Sequence, residues 1–108
     1  MGEVLVTKAQ DGGRLRLRVG DTVVVELAEN PAAGFRWVFD TLDDSRISVE
    51  ASDFRGAGGK IGGDGAASWT LRALAAGQTR VALKQRRARE GDAAIAERFS
   101  ISLDIAPN

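Results

Sequence analysis

The chain is 108 residues long, with fifteen Lys and Arg against fifteen Asp and Glu, and with neither His nor Cys. That length fits one compact domain, 1–108, with no room for a second; without imidazole or thiol, Ser-His-Asp triads, cysteine nucleophiles, His or Cys zinc sites and disulfides are all excluded. A formal charge of zero argues against general polyanion binding, which rests on neutralising many phosphates, so nucleic acid is not an expected partner.

The opening Met1-Gly2-Glu3-Val4-Leu5-Val6 lacks the basic region and apolar stretch of a secretory leader. No apolar run approaches the roughly 18 residues that span a bilayer, so no membrane partner is expected. The location reads as cytoplasmic, or as periplasmic or secreted if a leader has been removed. From residue 14 onward, apolar side chains fall on every second position. Leu15, Leu17 and Val19 share one strand face and Arg14, Arg16 and Arg18 the other. Val23, Val25 and Leu27 form the next inward set, followed by Phe35, Trp37 and Phe39, whose shared parity makes Trp37 a core residue. Ile47, Val49 and Ala51 continue the rhythm, as do Trp69, Leu71 and Ala73, then Val81 and Leu83, and finally Phe99, Ile101, Leu103 and Ile105. The segment 86–98 is charged and alanine-rich; Gly91-Asp92 interrupts it, and it reads as a long polar connection. Asp40, Asp43 and Asp44 lack EF-hand spacing and read as a solvated turn. Turn formers separate the runs at Asp11-Gly12-Gly13, Gly20-Asp21, Asn30-Pro31, Gly77 and Gly91-Asp92. Short half-buried strands with this punctuation predict an all-β sandwich or barrel.

Function in such folds resides in the loops at the strand ends, and three connections stand out. In Asn30-Pro31-Ala32-Ala33-Gly34-Phe35-Arg36-Trp37, Pro31 stiffens the chain and Gly34 permits a positive φ at the re-entry into a strand. In Gly56-Ala57-Gly58-Gly59-Lys60-Ile61-Gly62-Gly63-Asp64-Gly65, six of ten residues are glycine. The phosphate-loop comparison fails there, because Phe54 stands where a Walker loop needs Gly and Ile61 where it needs Ser or Thr. The third connection, Lys84-Gln85-Arg86-Arg87-Ala88-Arg89-Glu90, is basic but has no aromatic residue for bases to stack on, and reads as a solvated loop.

Together these loops resemble the chagasin family, the small β-sandwich inhibitors of papain-like cysteine peptidases. That family carries Asn-Pro-Thr-Thr-Gly-Phe/Tyr followed by a Trp, then a Gly-x-Gly-Gly loop, then an Arg-Pro-Trp/Phe loop. Here Asn30, Pro31, Gly34, Phe35 and Trp37 match the first motif and Gly56-Ala57-Gly58-Gly59 matches the second. Val6-Thr7-Lys8-Ala9, Val19-Gly20-Asp21, Ala75-Ala76-Gly77-Gln78-Thr79 and Glu97-Arg98-Phe99-Ser100-Ile101 extend the similarity over nearly the whole chain. The resemblance implies an immunoglobulin-like β-sandwich of seven to eight mainly antiparallel strands, a monomer whose three loops form a wedge that reversibly blocks a peptidase cleft without cofactor or metal. It places peptidase contacts at Asn30, Pro31, Ala32, Ala33, Gly34 and Phe35 in the first loop and at Arg87, Ala88 and Arg89 in the third. For the second loop two registers stand: Gly56, Gly58 and Gly59 by motif, and Gly62, Gly63, Asp64 and Gly65 by distance from the next strand, the later being favoured. The chain departs from the family in having Ala32-Ala33 for Thr-Thr and in lacking the Pro and aromatic residue after Arg87. The alternative is a protein- or glycan-binding module that keeps the scaffold and changes its partner. An enzyme is disfavoured, since no carboxylate pair can be placed in a shared cleft.

Overall fold

In the computed structural model, which describes residues 2–29, 34–55, 65–87 and 95–108, the alternating runs become eight strands. They are β1 (Glu3–Val6), β2 (Gly13–Arg18), β3 (Thr22–Glu29), β4 (Phe35–Thr41), β5 (Ile47–Arg55), β6 (Gly65–Ala73), β7 (Gly77–Arg87) and β8 (Ile95–Ala106). They form two four-stranded sheets, in the orders β1-β3-β6-β5 and β2-β8-β7-β4. Four of the pairings are antiparallel, while β1 on β3 and β2 on β8 are parallel. A 3₁₀ turn, Lys8–Gln10, carries the chain from one sheet to the other. Its ends are closed reciprocally: the Ala9 amide donates to Thr7 Oγ1 and the Thr7 amide donates to Gln10 Oε1 at 2.7 Å.

The inward parity predicted for β3 and β8 holds throughout. Val23, Val25 and Leu27 face Phe99, Ile101, Leu103 and Ile105 across the interior, with Leu71, Val81 and Leu83 beside them and Trp37 at one end. Each such side chain contributes about 1.5–3 kcal/mol by leaving water. Polar hydrogen bonds close the turns. Asp21 accepts from the Arg18 and Gly2 amides, at 2.9 and 3.0 Å. Asp11 accepts from the Ser100 amide at 2.9 Å, tying the 3₁₀ turn to β8.

Several expectations change. Alternation does not mark β1: it has four residues, and its pairing, Glu3 with Thr22 through Val6 with Val25, depends on a distant partner. In β5 only Ile47 is buried: Val49 still pairs in register with Leu71 but lies 40% exposed on this edge strand. The register on β6 then shifts between Val49 and Ala51, and this bulge ends the predicted rhythm before Ala51. The expected polar connection 86–98 is strand at both ends, with Arg86 paired to Ile95 and Lys84 to Arg98. Main-chain pairing there continues past the core, where side chains meet solvent and alternation carries no signal. Lys84 accordingly lies within β7, not in a solvated loop. Asp40 lies in β4, not in a turn with Asp43 and Asp44, and pairs with Lys84 at 3.3 Å and with Arg98 at 3.5 Å.

Candidate functional site: one end of the sandwich

Registers locate the three connections. Glu29 at the end of β3 pairs with Gly65 at the start of β6, and Arg55 at the end of β5 pairs with Ala66. On the other sheet Phe35 pairs with Arg87 and Arg86 with Ile95. The chain segments 30–34, 56–64 and 88–94 therefore all depart from and return to the same end of the two sheets. Of the predicted contact residues, Gly34, Phe35, Gly65 and Arg87 are described. Asn30, Pro31, Ala32, Ala33, Gly56, Gly58, Gly59, Gly62, Gly63, Asp64, Ala88 and Arg89 lie outside the described residues.

The first connection has a built root. Gly34 sits at φ +84°, a left-handed conformation that costs side-chain-bearing residues 1 kcal/mol or more. Phe35 is half-buried, and the Arg87 guanidinium stands 4.9 Å from its ring centroid, within cation–π range. Two residues on either side of the loop act as a latch. The Glu29 carboxylate, 6% exposed, accepts the Trp37 amide at 2.8 Å, and the Trp37 indole Nε1 donates to the Ala28 carbonyl at 2.8 Å. β4 is a sheet edge, so the Trp37 amide has no ladder partner on that side; Glu29 supplies one from the opposite sheet. Glu29 is not among the predicted contact residues. Its signal was present, since it follows Val25 and Leu27 on the inward parity.

The second connection is bounded by a close approach. A Cβ at Gly65 would lie 2.5 Å from the Arg55 carbonyl oxygen and would strike the Phe54 ring. The bulge in β5 puts Phe54 opposite buried Ala67, on the phase where the predicted rhythm would place Asp53, and Phe54 remains 43% exposed at this end. Between the β4 and β5 edges runs a groove of about 430 Å³, lined by Glu29, Arg36, Trp37, Asp53, Phe54 and Trp69 among others. The edge-to-face ring pair of Phe39 and Trp69, with centroids 5.9 Å apart, packs on its inner side. Among the described residues no three His, Cys, Asp or Glu side chains gather to hold a metal. The carboxylates held below their ordinary values serve turns and edges away from this end. The Ser100 amide lowers Asp11, the Arg18 and Gly2 amides lower Asp21, the Ser45 hydroxyl and then Arg46 lower Asp43, and Arg72 and then Ser48 lower Glu50.

Comparison with known proteins agrees with this geometry. The model of the "Chagasin family peptidase inhibitor I42" matches residues 16–103. Chagasin from Trypanosoma cruzi is 32% identical over 103 residues, covering 91% of this chain and 94% of that protein. Among solved structures, the cysteine protease inhibitor EhICP2 from Entamoeba histolytica superposes with a TM-score of 0.88 at 20% identity, covering 98% of this chain and 97% of the other. PbICP-C, solved in complex with falcipain-2, gives 0.60 at 12% identity, covering 98% and 89%. These structures share the two-sheet sandwich, and the sequence match extends through both sheets. The chain belongs to the chagasin family of peptidase inhibitors.

Proposed function

We propose that this protein reversibly inhibits papain-like cysteine peptidases by inserting the three connections at one end of its sandwich into the substrate cleft. The observation that carries the reading is the convergence of all three connections at one end, set by the pairings Glu29–Gly65, Arg55–Ala66, Phe35–Arg87 and Arg86–Ile95. The first loop, with Asn30, Pro31, Ala32, Ala33, Gly34 and Phe35, takes the position nearest the peptidase's catalytic groups. The glycine-rich segment and Arg87, Ala88 and Arg89 flank it. Blocking needs no chemistry from the inhibitor, which agrees with a chain lacking His and Cys. What it needs is a surface whose shape is set before contact, because ordering a loop on binding is paid out of affinity. The Glu29–Trp37 latch supplies that at the loop's root.

The departures from the family set the expected strength. Ala32 and Ala33 offer no hydroxyls, and each lost hydrogen bond costs on the order of 1 kcal/mol. Without an aromatic residue after Arg87, a usual kind of interface hot spot is missing from the third loop. Titration of papain and of serine peptidases with the protein tests the reading. Papain activity is expected to fall reversibly, with the inhibitor recovered uncleaved and serine peptidases unaffected. Full papain activity at 100-fold excess of micromolar inhibitor overturns it.

A further inference from the structure

The neutral sum of charges conceals a strongly segregated surface. On β2, Leu17 is buried and Leu15 partly so, while Arg14, Arg16 and Arg18 alternate outward and are all exposed. The pairing carries this ladder across the sheet: Arg14 lies opposite Ser102, which lies opposite Arg80, and Arg16 lies opposite Asp104, which lies opposite Gln78. Higher on the same face Arg98 pairs with Lys84. These six cations share the face with the carboxylates of Asp40 and Asp104, and Asp21, which accepts the Arg18 amide, lies at its edge. Asp104 meets Arg14 at 3.6 Å, whereas Arg16, Arg18 and Arg80 make no ion pair among the described residues. Successive outward side chains on β2 stand about 6.7 Å apart, and Arg14 and Arg80 about 10 Å apart across two strand spacings.

A second feature of that patch is a hollow of about 300 Å³ over the row Leu17, Ile105 and Gly77, where the Leu17 and Ile105 side chains turn to the core; Arg16, Gln78, Asp104 and Ala106 line it as well. The exposed Ala106 methyl with an amide, a carboxylate and a guanidinium beside it is suited to a sugar ring: a carbon edge of the ring rests on Ala106 while its hydroxyls find both donors and an acceptor. Guanidinium groups around it present planar forks to carboxylate or sulfate substituents. We infer that the outer face of β2, β8 and β7 is a binding site for a linear acidic polysaccharide, seated at the hollow between Arg16, Gln78 and Asp104 and held along the arginine ladder. Nucleic acid fits less well, because no aromatic side chain projects from this face to stack on bases. A lipid surface fits less well, because the exposed large apolar residues Leu5, Val49, Phe54 and Leu74 belong to other elements. β2 runs from Gly13, opposite Ile101, to Arg18, opposite Ala106, away from the loop end, so the polysaccharide site and the loop end are separate surfaces.

The test uses the full chain in low salt, with a heparin-derived oligosaccharide and an oligouronate as probes, and duplex DNA and phosphatidylserine vesicles as competitors of matched charge. Binding of the glycans is expected, with affinity reduced at least 10-fold in Arg16→Ser/Arg18→Ser at an unchanged thermal midpoint. Arg36→Ser/Arg55→Ser, which removes equal charge at the loop end, should bind within 2-fold of the parent. Ala106→Trp fills the hollow without altering charge and should also lose about 10-fold. The inference is overturned if the parent binds neither glycan, if both double variants lose equally, if Ala106→Trp binds as the parent does, or if DNA or vesicles bind as tightly as the glycans. None of these readouts involves a peptidase, so the result is independent of the inhibitory reading.

Discussion

A carboxylate that leaves water must be met by donors, and Glu29 is met by an amide that would otherwise be an orphan on a sheet edge. Replacing it with Ala strands the Trp37 amide, so Glu29→Ala is expected to cost about 1–3 kcal/mol in denaturant unfolding. Glu29→Gln keeps an acceptor and should recover most of that loss. If the two variants unfold alike, the hydrogen bond is not what Glu29 contributes. Gly34 carries a different constraint. At φ +84° a β-branched residue is strained by roughly 1–3 kcal/mol, and among the described residues a Cβ there would meet the Arg87 side chain at 3.9 Å. Gly34→Val should therefore weaken peptidase inhibition about 10-fold or more, by deforming the loop, and leave the far-UV spectrum unchanged. Inhibition equal to the parent's would show that the loop conformation is not the recognised one. Alternation and turn chemistry made Gly34 and Trp37 legible beforehand. Glu29's role was hidden because its partner comes from the opposite sheet.

At the scale of elements, the turns and the β5 edge are held by carboxylates that accept main-chain and side-chain hydrogen bonds. Asp11, Asp21, Asp43 and Glu50 are all held below their ordinary values of 3.8 for Asp and 4.5 for Glu. A depressed folded-state value means that the stabilisation is complete above the unfolded-state value and is lost as pH falls through the folded one. The thermal midpoint should thus be flat above about pH 5 and fall progressively below about pH 4. Asp21→Asn should lower the midpoint at pH 7 and shallow the acid slope; an unchanged slope would remove Asp21 from the account. The same scale explains the missed strands. β1 and the outer ends of β7 and β8 are strand because a neighbouring backbone completes their hydrogen bonds. Side-chain periodicity reports burial, and it is silent where pairing continues beyond the core.

For the molecule as a whole, burial is concentrated in one interior shared by both sheets, with Phe99 1% exposed among the largest side chains there. Phe99→Ala should cost about 3–5 kcal/mol, read from the urea midpoint at constant slope; a cost under 1 kcal/mol would mean that the two sheets are not held by that contact. The sequence by itself determined the all-β class, the inward faces of β3 and β8 and the core position of Trp37, because burial on one face of a strand imposes a period of two that single residues display. Its motifs also named the family, since a loop's Pro and Gly are written locally. Tertiary structure alone decided which turns share an end, which carboxylate latches the first loop, and how the charges of the described strands are segregated between the faces. Those properties follow from registers between strands remote in sequence, and a net charge or a local pattern is blind to which residues a register brings side by side.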